Sequence, residues 1–72
     1  MAFVVYEIDM VSGKIENPHP FSTEEEARNH AAVMVEGWRE GTDRIVINGN
    51  IYSVMTASGT LDFGALILRE VA

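Results

Sequence analysis

Cysteine is absent from this chain. No disulfide can staple it and no thiolate can hold zinc, so its stability must come from packing or from association. Basic residues are scarce too: five Lys and Arg stand against eleven Asp and Glu, a net charge of −6. Lys14, Arg28, Arg39, Arg44 and Arg69 are scattered and form no run. Affinity for nucleic acid comes largely from cationic side chains neutralising phosphates, so no direct nucleic-acid binding is expected. Apolar runs are far shorter than the ~20 residues that cross a bilayer, and no membrane insertion is expected. The opening Met1-Ala2-Phe3-Val4-Val5-Tyr6-Glu7 has no positive stretch and meets a carboxylate too early for a signal peptide. Together with the missing cysteines, this leads to the expectation of a cytoplasmic protein.

What is present describes a globular chain. Hydrophobic residues make up 47% and charged residues 22%, a balance that supports a core. The 72 residues are read as one domain, 1–72. A chain of this length buries only about 60% of the surface its unfolded form exposes, so self-association, with a homodimer as its simplest form, is expected.

The strongest local signal is a helix from Ser22-Thr23 to Glu40-Gly41. Either hydroxyl can cap it, with Glu25 or Glu26 three positions on to complete a capping box, and Phe21 can pin the entering chain. At about 100° per residue, Ala27, Ala31, Met34 and Trp38 share one wedge, bordered by His30 and Val35, while Arg28, Asn29, Glu36, Arg39 and Glu40 fall outside it. Trp38 is expected to be a main core anchor, and Gly41 has the character of a C-terminal cap.

Strands are expected around this helix. Phe3 to Met10 alternates, and the Val4, Tyr6, Ile8 side is taken as inward. A turn at Val11-Ser12-Gly13-Lys14 leads to a short strand, Ile15-Glu16-Asn17, which Pro18-His19-Pro20 should end before running as a linker to the helix. Asn48-Gly49 between β-branched runs predicts a hairpin with Ile47 opposite Asn50 and Ile45 opposite Tyr52. Ser58-Gly59 predicts another, with Val54 opposite Phe63 and Thr56 opposite Leu61. Ile45, Ile47, Tyr52, Val54, Leu61, Phe63, Ala65 and Ile67 then face the helix. The segment from Leu61 to Val71 is read as a strand. Its alternative is a helix over 60–71 capped by Thr60. The fold class is α+β, a two-layer domain with an antiparallel sheet and one helix on one face, in the order β-β-α-β-β-β; the alternative ends β-β-α.

No motif carries chemistry. His30 follows Glu26 by four residues, which supplies two metal ligands at most, and His19 is the remaining imidazole, so no metal and no cofactor are assigned. Ser12, Ser22, Ser53 and Ser58 are explained by turns, a cap or a strand, and none sits in a nucleophile elbow. Glu7 and Asp9 share a strand face without a cleft to shift their titration. The glycines match no phosphate-binding pattern. No catalytic residue is assigned and the chain is read as a non-enzyme; a third reading is an enzyme whose site forms only across a dimer seam, with Glu26 and His30 as its acid/base pair.

Two surfaces remain. Val46, Ile51, Met55, Leu66 and Leu68 should point away from the helix, an apolar area too large to leave wet, and they are the candidate interface. Glu24, Glu25, Glu26, Glu36, Glu40 and Asp43 are the candidate acidic docking surface, which would attract a basic partner and raise its on-rate; the bland account is that carboxylates in a first helical turn simply complement the helix dipole. The plan of a tiny acidic domain, with one alanine-rich helix leading into the Asn48-Gly49 hairpin, resembles small phage-borne inhibitors of bacterial defence systems. The resulting expectation is a small interaction protein, an inhibitor or accessory factor that binds a protein partner. The alternative is a small-ligand or regulatory module with a pocket between helix and sheet near Tyr6, His30 and Trp38.

Overall fold

A computed structural model describes residues 2–70. Strands β1 (Ala2–Asp9) and β2 (Ile15–Phe21) precede helix α1 (Glu24–Trp38), and β3 (Arg44–Asn48), β4 (Ile51–Met55) and β5 (Leu61–Glu70) follow it. They form a five-stranded antiparallel sheet in the order β2-β1-β5-β4-β3. The expected α+β fold with element order β-β-α-β-β-β is therefore present. The C-terminal segment is a strand and not the alternative helix; Val71, its last predicted residue, lies outside the described residues. Because β5 is inserted between β1 and β4, the N-terminal hairpin and the C-terminal meander become one sheet, and α1 lies over β5, β1 and β4.

Thr23 is the N-cap. Its Oγ1 accepts from the Glu26 backbone N–H at 3.2 Å and donates to Glu26 Oε1 at 3.0 Å, so of the two hydroxyls only the second caps. The helix ends earlier than expected: Arg39 is the C-cap, its N–H reaching Val35 O at 3.0 Å, and Gly41 instead takes positive φ in the following turn. The buried stripe is also rotated. Ala27, Ala31 and Val35, spaced four apart, are fully buried, whereas Met34 and Trp38 pack only partly against the core. Two alanines let the backbone approach the sheet so closely that little room remains for an indole, and Trp38 sits at the margin against Phe63.

Strand β1 presents the opposite side to the one expected. Val5 is fully buried with Tyr52, Val54, Ala65 and Ile67 against the helix, and pairs directly with Ile67. Val4, Tyr6 and Ile8 pair with Leu68, Leu66 and Gly64 on the other face. Alternation alone cannot say which side of a strand is inward when both carry apolar residues.

Strand β2 continues through the proline pair to Phe21. Proline is compatible with an edge strand, where its missing N–H can face solvent, and β2 is an edge. A bulge accommodates it: Asn17 and Pro18 face Tyr6 alone, with Asn17 at φ 54°.

The first C-terminal hairpin turns one residue later than expected. Gly49 and Asn50 are its central residues, Asn48 pairs with Ile51, and Ile45 pairs with Val54, not Tyr52. Only Gly49 of the two takes positive φ, the type II′ arrangement. A displacement of one residue in the turn leaves each side chain on its face, so the helix-facing set survives. Beyond Val54 opposite Phe63, a bulge sets Leu61 opposite Met55 in place of Thr56, which removes Leu61 from that set.

Candidate functional site

The sheet has a helix on one face only. Among the described residues no element lies over the other. Register places all five candidate interface residues there: Ile51 pairs with Leu66, while Val46 pairs with Ser53 and Met55 with Arg44. Leu68 pairs with Val4, and the correction to β1 adds Val4, Tyr6 and Ile8 to the same face. The apolar strip therefore crosses four neighbouring strands, β1, β5, β4 and β3. Neighbours shield much of it, Val4 and Ser53 being buried and Leu68 40% exposed. Ser53 satisfies its buried hydroxyl by donating to Val46 O at 3.1 Å. Tyr6 donates to Glu70 Oε1 at 3.2 Å at the rim, where burial and this carboxylate both raise the phenol's pKa.

The six acidic candidates are divided between the two ends of a 15-residue helix, about 22 Å apart. Glu24 pairs with Arg28 at 3.4 Å and Glu26 binds Thr23 at one end. At the other, Glu36 pairs with Arg39 at 2.7 Å, which holds its carboxyl below the usual range, and Asp43 Oδ2 accepts the Glu40 N–H at 3.2 Å. Several of them thus have local structural roles.

Tyr6, His30 and Trp38 do not converge. Tyr6 lies on the open face, and eight residues of helix separate the other two by about 12 Å. His30 instead stacks against His19 and Phe21 of β2, ring centroids 5.0 and 4.9 Å away, with its Nε2 buried and unpartnered. Burial, followed by the neighbouring His19, lowers its pKa.

Two clefts flank the helix. One, about 550 Å³, is an apolar groove between α1 and β3, lined by Val33, Val35, Gly37, Ile45, Ile47 and Tyr52, with Glu36 at its rim. It exists because α1 stops short of β3, leaving Val33 71% and Ile47 59% exposed. The other, about 380 Å³, sets Trp38 and Phe63 beside Glu7, Asp9, Glu16 and Glu40. Glu7 and Glu16 are direct cross-strand partners, a like-charge contact eased by Asn17 Nδ2 donating to Glu7 at 2.5 Å and by Lys14 3.7 Å from Glu16. The N–H groups of Val11 and Ser12 hold the Asp9 carboxyl below its usual range. Of the pocket expected between helix and sheet near Tyr6, His30 and Trp38, only Trp38 lines a cleft, the second; the first was missed, since each depends on where the helix lies across the sheet.

Among the described residues, no three His, Asp or Glu are placed to hold a metal, and no helix is long and apolar enough to cross a membrane. The chain matches no family model, no curated protein and no solved structure.

Proposed function

We propose that this protein is a non-catalytic interaction protein, an inhibitor or accessory factor that binds another macromolecule, and that its open sheet face seats a second copy of the chain. The observation that carries this reading is the apolar strip spanning β1, β5, β4 and β3 with no covering layer. Two such faces stacked about 10 Å apart bury each other as the halves of a β-sandwich do.

Light scattering tests it. The wild type is expected at twice the 8.0 kDa chain mass. Leu66→Glu and Ile51→Glu, at directly paired positions in the strip, each place a carboxylate in the dry centre and are expected to give monomers that remain folded. A wild-type monomer, or dimers in both variants, removes the face-to-face interface.

A further inference from the structure

The sheet's two edges are treated oppositely. On β2, Pro18 and Pro20 remove donors and the bulge at Asn17 distorts the edge, devices that prevent strand pairing. On β3, the run Arg44-Ile45-Val46-Ile47-Asn48 has no proline and no bulge, and the helix does not cover it. The two-residue turn fixes which of its backbone groups are spent. Asn48 and Ile51 close the turn as a bonded pair, so bonding alternates to Val46 and Arg44, and the N–H and C=O of Ile45 and Ile47 point outward. The side chains of these same two residues form the floor of the apolar groove under Val33.

We infer that the β3 edge is a strand-addition site for an extended segment of a partner protein, with apolar side chains at alternate positions and Lys or Arg at its ends. The added strand bonds to the outward groups of Ile45 and Ile47. Period-two geometry then directs every second side chain into the groove, whose volume of about 550 Å³ accommodates two or more aliphatic side chains. Glu36 on the rim is already paired with Arg39 and the strand opens with Arg44, so the preference for cationic ends comes from the chain's overall charge of −6, with Asp43 just before the strand. Size argues against a second copy here. A five-residue edge is a strip about 17 Å by 10 Å, well below the ~800 Å² per partner of a stable interface. A short cationic strand needs no such area and is attracted by the chain's net charge.

The inference rests on the interaction-protein reading and names the partner's chemistry, and its test runs on both the wild type and the Leu66→Glu variant. The probe is the synthetic peptide acetyl-KKISVSIKK-amide, followed by amide NMR shifts and hydrogen exchange. Saturable binding is expected to protect the Ile45 and Ile47 amides and to weaken about fivefold between low and high salt. The acidic counterpart EEISVSIEE and the proline-interrupted KKISPSIKK should not bind. Val33→Lys, a change on an exposed helix position that leaves β3 intact, should weaken binding about tenfold without altering the mass by light scattering. No effect on the two amides, equal binding of the acidic peptide, or protection confined to β2 overturns the proposal. Binding that persists in a monomeric Leu66→Glu chain upholds the edge independently of the face, and loss of dimer in that chain without loss of peptide binding keeps the two readings separable.

Discussion

Arg28 Nη1 donates to the carbonyl oxygen of Gly49 at 3.2 Å, across 21 positions of sequence, and reaches Tyr52 Oη at 3.4 Å. Glu24, one turn earlier on the same helix, steadies the guanidinium from its other side. The helix is thereby tied to the tip of the β3-β4 hairpin, which its own apolar stripe does not reach. Arg28→Met keeps much of the aliphatic stem and removes the donors. Its expected signature is faster hydrogen exchange at the Gly49-Asn50 turn and a small drop in the urea midpoint; unchanged exchange at the turn would show that the tie has no consequence.

Val35 is fully buried at the centre of the helix stripe. Val35→Ala removes two methyl groups and leaves a cavity, at a cost of roughly 2 kcal/mol. In a domain with this little core, that is a large fraction of total stability. Urea unfolding followed by circular dichroism measures it, and a loss under half of that figure would mean the helix can settle onto the sheet.

Gly64 lies where β5 crosses beneath its neighbours, with negative φ, so its reason for being glycine is space. A Cβ there would stand 2.9 Å from Tyr52 O and 3.2 Å from Ile8 Cγ2. The first is backbone and cannot swing away. Gly64→Ala is expected to destabilise by about 1–3 kcal/mol through overpacking, despite alanine's better strand entropy. A neutral or stabilised variant in urea unfolding would contradict this geometry.

His30 makes stability depend on pH in a definite direction. Its folded pKa lies below the unfolded value of 6.5, because burial disfavours the cation and His19 is close. Below 6.5 the unfolded chain takes up a proton that the folded chain resists, so stability falls as pH drops from there toward the folded value. Urea midpoints should decline between pH 7.5 and 5.5, and His30→Phe, which keeps the stack with Phe21, should flatten that decline. Parallel profiles for the two proteins would exclude His30 as the source.

Much of this fold is legible in the chain. Helix α1 announces itself through Thr23, the acidic first turn and two alanines at i, i+4 spacing, and the glycine turns announce the strands on either side. A shift of one residue in a turn is harmless where it preserves alternation, as at Gly49-Asn50. The facing of β1 is different: the pattern favours Val4-Tyr6-Ile8 as inward because the other side runs into Glu7 and Asp9, and only the pairing of Val5 with Ile67 beneath Ala31 and Val35 selects the Phe3-Val5 side. Pro18-His19-Pro20 reads locally as a stop, yet at a sheet edge it is strand, because edge position is a property of strand order.

The sequence by itself determined the helix and the order of the strands around it up to β4, the absence of disulfides and the acidic charge, since these follow from local sterics, hydrogen-bond chemistry and composition; it left the last segment open between strand and helix. Tertiary structure alone decided that β5 lies between β1 and β4, which face of β1 is covered, and that the helix leaves β3 bare. Those outcomes are set by long-range pairing and by the close approach that Ala27 and Ala31 permit, and no window of neighbouring residues contains that information.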